Sequence, residues 1–200
     1  MCLNRGPSGV ETAATRFGQP AIRDIEIPVT AETLNYWQTL ADRRVAEVLL
    51  LLRRSSGRYL LHTKAFYPQG AYRLLTGGIH AGEDLIEAAE REAMEETGLT
   101  VLPTRFVGIL HQRFAHAADA FDFTSYLIEL VEQGGVLGVH DVHEQIVGFC
   151  EVDIEGLRRS ADELQALEGR WADWGAIRAA GHRFAAELLA RASGEARGRV

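Results

Sequence analysis

The pattern of apolar and polar residues divides the chain into alternating strands and helices. Residues 22–29 alternate in polarity, which predicts a short strand, and Pro28 confines it to a sheet edge or a strand end. Residues 45–52 form a continuous apolar run, the pattern of a strand covered on both faces. Similar runs predict further strands over residues 58–63, 100–111, 121–131 and 145–152.

Helical spacing of apolar residues separates these strands. A helix is predicted from Thr30 to about Arg43, with Leu34, Trp37 and Leu40 on one face. Two more are expected from Asp153 to about Leu167 and from Asp173 to Arg191. Residues 1–19 are small, polar and aperiodic, which favours a flexible tail, and residues 111–119 favour a loop or strand end. The order of elements predicts one α/β/α sandwich around a mixed sheet.

Residues 77–99 form a glycine-rich segment followed by an unusually acidic helix. Thr76, Gly77 and Gly78 suggest a tight turn, with a second break at Gly82, because glycine adopts positive φ without strain. Glu83 and Asp84 suit the positive end of the helix dipole, and Gly98 is a C-cap candidate.

Two glutamates of this helix fall on its apolar face. At about 100° per residue, Leu85, Ile86, Ala89 and Ala93 form the stripe expected to pack on the domain. Glu92 and Glu96, one turn apart, project along that stripe, and Glu95 lies on its flank. Glu83, Glu87, Glu90 and Met94 lie on the opposite side.

Buried carboxylates are costly unless positive charge lies between them, and an all-oxygen set of ligands favours Mg2+ or Mn2+. The alternative is a charged helix whose acids are solvated or paired with Arg91. That alternative explains the exposed acids such as Glu90, but not why Glu92 and Glu96 share the apolar face. We therefore favour a metal site.

The same segment resembles the signature of the Nudix hydrolases, G-x5-E-x7-R-E-U-x-E-E-x-G-U, where U is aliphatic. Every specified position is filled, by Gly77, Glu83, Arg91, Glu92, Ala93, Glu95, Glu96, Gly98 and Leu99. A motif with this many fixed positions is a specific signal. The resemblance implies an α/β/α sandwich and hydrolysis of a nucleoside diphosphate linked to another moiety, with Mg2+ or Mn2+ held by the glutamates. Together with the composition and pattern of the N-terminal residues, it divides the chain into a probable flexible tail over 1–20, a strand–helix extension over 21–44 and a Nudix domain over 45–194.

The resemblance also implies roles for individual residues. Glu92 and Glu96 are the expected principal metal ligands, with Glu95 as ligand or base. Arg91 would orient these carboxylates, and Glu83 would complete the site or pair with Arg91. Some family members use an acid from a later loop as general base or metal ligand, and Glu144 is the candidate here. A solvated loop acid is an equally good interpretation of Glu144, and the base is left open among Glu95, Glu96 and Glu144.

Substrate contacts are predicted less sharply. Gly77 and Gly78 would let the backbone approach the substrate, and Arg73 and Arg54 are candidate ligands for its phosphates. Turn composition alone favours Arg54 as a solvated turn residue. Nucleotide sugars, ADP-ribose and nucleoside triphosphates stay open as substrates. A non-catalytic nucleotide- or metabolite-sensing module is the alternative function, which the intact motif disfavours.

Composition limits the partners of this chain. Two hundred residues, 46% hydrophobic and 24% charged, suit one globular domain. The net charge of −7 argues against nucleic acid or an anionic membrane, although bound cations would still allow a phosphorylated small-molecule substrate. Cys2 and Cys150 offer no disulfide framework or zinc spacing, so we expect a cytoplasmic protein. No run of residues is long and apolar enough to span a bilayer, so we expect no membrane segment. A homodimer formed through the N-terminal extension is a further hypothesis.

Overall fold

The computed structural model of the chain describes residues 7–40, 46–138 and 145–197. The helices are α1 (Val10–Phe17), α2 (Ala31–Leu40), α3 (Leu85–Thr97), α4 (Ile154–Gln165) and α5 (Ala172–Arg197), with a short 3-10 helix at Gly169–Trp171. The strands are β1 (Ala21–Pro28), β2 (Ala46–Arg53), β3 (Tyr59–Lys64), β4 (Arg73–Ile79), β5 (Leu99–His116), β6 (Asp119–Gly135) and β7 (Ile146–Val152). No helix in these ranges is long and apolar enough to cross a membrane.

The strands form one mixed sheet in the order β1-β5-β6-β2-β4-β3-β7. β1 runs parallel to β5 and β2 runs parallel to β6, whereas the other neighbours are antiparallel. Helices cover both faces, so the predicted α/β/α sandwich with a central mixed sheet is confirmed. The six strands predicted from apolar runs and alternation are also confirmed, whereas β4 was not predicted.

The continuous apolar run of β2 is explained by its place in the middle of the sheet. Val48 and Leu50 pack towards α3, whereas Leu49 and Leu51 pack towards α5, and all four are buried. Successive side chains of a strand point to opposite faces, so a strand between two helical layers needs apolar residues throughout. The sheet therefore separates two cores, one beneath α3 and the other beneath α4 and α5.

The prediction of an unstructured N-terminal tail is wrong for residues 10–17, which form α1. Ala13 is fully buried in the core beneath α3, and Val10, Ala14 and Phe17 pack around it. These residues follow helical i, i+3, i+4, i+7 spacing, but two are alanines, whose weak apolar signal concealed the pattern. Ser8 also accepts a hydrogen bond from the backbone N–H of Leu85, so this segment contacts the start of α3.

Residues 21–40 add an edge strand and a helix to the sheet. β1 lies at the sheet edge and ends at Pro28, which agrees with the prediction that this proline belongs at an edge or a strand end. Trp37 of α2 packs against Phe114 and Phe123, with ring centroids 4.9 and 4.7 Å away. Of the two alternatives predicted for residues 111–119, the loop is wrong and the strand end is confirmed, because β5 continues to His116 between β1 and β6 and pairs with both.

Candidate active site

The two glycines that suggested a turn instead lie inside β4. Gly77 and Gly78 pair with Val48 and Glu47 of β2, so the prediction of a turn at residues 76–78 is wrong. The chain reverses a few residues later, where Gly82 has a φ of 82°. Asp84 then caps α3 by accepting a hydrogen bond of 2.8 Å from the N–H of Ile86, and Gly98 ends the helix with a φ of 68°. A strand, a turn and a capped helix thus hold the motif in place.

Helical spacing places two of the glutamates of α3 in the protein interior. Glu96 is 0% exposed and Glu92 is 8% exposed, as the helical periodicity predicted. Glu95 lies on the flank with 43% of its side chain exposed. Glu87 and Glu90 face solvent, so the solvated interpretation holds for them and fails for Glu92 and Glu96.

Arg91 connects the carboxylates of this segment. Its Nε and Nη2 donate to Glu83 at 2.7 and 3.0 Å, and its Nη1 donates to Glu92 at 2.7 Å and to Glu95 at 3.1 Å. Nη2 also donates to the carbonyl oxygen of Gly78 at 3.0 Å. The hydrogen bond with Arg91 lowers the pKa of Glu83. These contacts join β4, the turn and α3 through one guanidinium.

Two residues of β3 approach the fully buried Glu96. Its Oε1 lies 3.7 Å from Nζ of Lys64 and 3.9 Å from Nδ1 of His62. His62 is also fully buried, and desolvation lowers its pKa well below the usual value, so its imidazole is neutral. Neither His62 nor Lys64 was among the predicted site residues. The signal was their i, i+2 spacing, which puts both side chains on one face of β3.

Gly77 is required by the side chain of Glu92. A Cβ added at Gly77 would lie 1.7 Å from Cδ, 2.0 Å from Cγ and 2.1 Å from Oε2 of Glu92. The absence of a side chain therefore leaves the space that this carboxylate occupies against β4. Gly77 was predicted to let the substrate approach, whereas the contact present is with Glu92.

The carboxylates suit a divalent cation by their chemistry. Within the described ranges, no three His, Cys, Asp or Glu side chains are already grouped as a metal site. Glu92, Glu95 and Glu96 nevertheless offer oxygen ligands from successive turns of one helix, two of them withdrawn from water. Fully ionised, they and Glu83 would carry four negative charges, against the two positive charges of Arg91 and Lys64. The difference equals the charge of one divalent cation.

The two arginines predicted to bind substrate are engaged elsewhere. Arg54 follows β2 and binds Glu132 at 2.8 Å and Glu151 at 3.4 Å. Arg73 is buried, and its guanidinium donates to Tyr67, to Thr76 and to the carbonyl oxygen of Leu74. Neither contact set includes a glutamate of α3. The third candidate outside the motif, Glu144, lies outside the described residues.

The protein is thus an α/β/α sandwich that carries two buried glutamates on a capped helix. A family model described as NUDIX domain matches residues 43–192. The chain therefore belongs to the Nudix family and is a Nudix hydrolase. Enzymes of this family generally use divalent metal ions.

Solved structures with a similar fold include members of this family. A Nudix hydrolase from Nitrosomonas europaea is 23% identical, with 58% of this chain and 77% of that chain covered and a TM-score of 0.43. The MutT protein from Methanosarcina mazei is 22% identical, covering 71% and 93%, with a TM-score of 0.43. An Ap4A hydrolase from C. elegans is 21% identical, covering 72% and 97%, also with a TM-score of 0.43. The sequence matches no curated protein.

Proposed function

We propose that this enzyme hydrolyses the diphosphate linkage of a nucleoside diphosphate joined to another moiety, with Mg2+ or Mn2+ as cofactor. The observation that supports the proposal best is the burial of Glu92 and Glu96 against the sheet, on the face of α3 where a structural helix would carry apolar residues. A site with surplus negative charge suits a metal-bound diphosphate, whose own charges would otherwise be repelled.

Glu92 and Glu96 are the residues that would hold the metal, and Glu95 lies beside them to complete the set. A bound cation would neutralise the charge of the diphosphate and lower the pKa of a coordinated water. Arg91 keeps Glu92 and Glu95 oriented through its hydrogen bonds of 2.7 and 3.1 Å. Glu83 holds the other side of the same guanidinium, so its role is to position Arg91.

The proton of the attacking water requires an acceptor. Glu95 is the best supported of the predicted bases, since 43% of its side chain is open to solvent. Glu96 is enclosed by Lys64 and His62 and is better suited to holding the metal than to exchanging protons with water. Glu144 remains the alternative base that the sequence predicts.

Nucleotide sugars, ADP-ribose and nucleoside triphosphates share the linkage that this site would cleave. Their common part is a diphosphate with one nucleoside, and the proposal is confined to that part. The metal and carboxylates act on the phosphates, whereas the group beyond them is recognised elsewhere on the protein.

The test is turnover of a panel of these compounds with Mg2+ and with Mn2+, using wild type, Glu96→Gln and Glu90→Gln. Glu90 is the matched control, because it is an exposed glutamate of the same helix. We expect metal-dependent hydrolysis that Glu96→Gln reduces by at least about 100-fold and Glu90→Gln leaves unchanged. Nucleotide binding without turnover in wild type would contradict the proposal and favour a sensing module.

A further inference from the structure

The turn that leads from β4 into α3 is bound by the N-terminal strap, the name we give to residues 7–17. Ser8 of the strap forms a parallel β-bridge with Asp84. The N–H of Ser8 donates to the carbonyl oxygen of Glu83 at 3.1 Å, and the N–H of Leu85 donates to the carbonyl oxygen of Ser8 at 3.0 Å. One residue of the strap thus holds the backbone on both sides of Asp84, where the turn ends and α3 begins.

The next residue of the strap lies against the side chain that caps α3. A Cβ added at Gly9 would lie 1.7 Å from Oδ2 and 2.7 Å from Cγ of Asp84. Gly9 also has a φ of 77°, in the left-handed region that favours glycine. The other oxygen of Asp84 accepts hydrogen bonds from the N–H groups of Ile86 and Glu87 at 2.8 and 3.4 Å. A side chain at position 9 would therefore displace the cap and, with it, the first turn of α3.

Burial anchors the strap on both sides of Ser8. Pro7 is buried before it, and Ala13 is 1% exposed in the core beneath α3, where the apolar face of α1 packs around it. Buried packing of this kind resists displacement, because moving the segment would expose apolar surface to water. The strap precedes the Nudix region of residues 43–192, so a segment outside the motif supports the turn of the motif.

The supported turn carries the contact that orients the carboxylates of α3. The side chain of Glu83 accepts hydrogen bonds from Nε and Nη2 of Arg91 at 2.7 and 3.0 Å. The same guanidinium donates to Glu92 and to Glu95 through Nη1. Because the backbone of Glu83 is bonded to Ser8, a displacement of the strap reaches these carboxylates through a single residue and a single guanidinium.

We propose that Ser8 and Gly9 are positioning residues of the candidate active site. They hold the turn of Glu83 and Asp84 in the place from which Arg91 orients the carboxylates of α3. This role rests on the proposed function, in which those carboxylates bind a divalent cation, and it involves no contact of the strap with metal or substrate. Residues that orient metal ligands change metal affinity or activity about 10- to 100-fold when they are altered.

The first experiment compares Gly9→Ala with Gly18→Ala in the full chain. The two glycines flank α1 and have φ values of 77° and 98°, so alanine strains the backbone at either position. Gly18 is the matched control, because a Cβ added there meets no atom within 4 Å. We expect the Kd of Mn2+, measured by calorimetry without substrate, to rise about 10- to 100-fold in Gly9→Ala and to be unchanged in Gly18→Ala. Thermal unfolding should show both variants folded.

Hydrogen exchange at Nε–H of Arg91, followed by 1H–15N NMR, reports the positioning without metal or substrate. The hydrogen bond to Glu83 protects this proton in wild type, and Arg91→Lys identifies its signal. Exchange should be about 10-fold faster or more in Gly9→Ala, because a charged hydrogen bond is weakened, and unchanged in Gly18→Ala.

Ser8→Ala is a second variant, which adds no overlap and decides the matter if Gly9→Ala does not fold. It removes the hydrogen bond of 3.3 Å from the Ser8 hydroxyl to the carbonyl oxygen of Gly82. Exchange at Nε–H of Arg91 should then be about 2- to 10-fold faster than in wild type. Wild-type exchange in Ser8→Ala, with Gly9→Ala unfolded or unchanged, would overturn the positioning role.

The outcomes distinguish the positioning role from the proposed function. Hydrolysis by wild type, with equal Mn2+ affinity and equal Arg91 exchange in wild type and Gly9→Ala, would reject the positioning role and leave the hydrolase intact. Faster Arg91 exchange in Gly9→Ala alone, in a protein that hydrolyses nothing, would support the positioning of Arg91 and contradict the proposed hydrolysis. Equal changes in Gly9→Ala and Gly18→Ala would also reject the positioning role, because backbone strain in the strap would then account for them.

Discussion

Gly77→Ala should displace the carboxylate of Glu92, a proposed metal ligand, by adding a single methyl group. The new Cβ would overlap Cγ, Cδ and Oε2 of Glu92 at 1.7 to 2.1 Å, where ordinary van der Waals contact begins at 3.4 Å. Because the overlap includes Cγ, rotating the end of the side chain cannot relieve it. Either β4 moves away from α3, or the whole Glu92 side chain leaves its position.

The size of the effect follows from the contacts that Glu92 would lose. Its hydrogen bond from Arg91 is 2.7 Å long, and such a bond to a charged group is worth about 1.5–3 kcal/mol. Keeping Glu92 in place instead costs about 1–3 kcal/mol of overpacking. These are alternatives, so we expect the free energy of unfolding to fall by about 1–3 kcal/mol. Activity should fall about 10- to 100-fold, as when other residues that orient metal ligands are changed.

Urea unfolding and kcat/KM would be measured for wild type, Gly77→Ala and Gly134→Ala. Gly134 is the matched control, a strand glycine of β6 where an added Cβ would meet no atom within 4 Å. In a Glu92→Ala background the overlap no longer exists, so Gly77→Ala should there be neutral or stabilising by up to about 1 kcal/mol. Wild-type stability and activity in Gly77→Ala, or an equal stability loss in both backgrounds, would refute the reasoning.

Three further predictions concern stability. Burial lowers the pKa of His182 to about 3, so the unfolded chain binds a proton below pH 6.5 that the folded protein excludes. From pH 7 to pH 5, His182 should therefore lower the free energy of unfolding by about 2 kcal/mol, in addition to the fall caused by the buried His62. A urea series in which wild type and His182→Gln lose equal amounts would contradict this. Arg54→Gln should lower stability by about 1–3 kcal/mol through its lost charged hydrogen bonds and leave KM unchanged, whereas a raised KM would restore Arg54 as a substrate ligand. Ala13→Asp should cost about 3 kcal/mol or more in urea unfolding because it buries a charge, and an equal effect of Thr12→Asp at an exposed neighbour would place α1 outside the fold.

Sequence reasoning succeeded where a feature repeats along one element. The burial of Glu92 and Glu96 follows from 3.6-residue periodicity, and β2 follows from its unbroken apolar run. It failed where contacts between distant segments decide. Gly77 suggests a turn when only its neighbours are considered, yet its conformation is set by pairing with β2 and its size by Glu92. Arg54 suggests a free turn cation, yet carboxylates of β6 and β7 hold it.

The contacts of Arg91 explain why the motif needs fixed positions over so long a segment. One guanidinium binds a carbonyl of β4, a glutamate of the turn and two glutamates of α3, so strand, turn and helix each constrain the others. The planar fork fixes directions as well as distances, because each donor points along a set line. The carboxylates of α3 are consequently oriented by the protein before any ligand arrives. The ordering cost of the site is met during folding, so the binding energy of the proposed metal and diphosphate would remain available for catalysis.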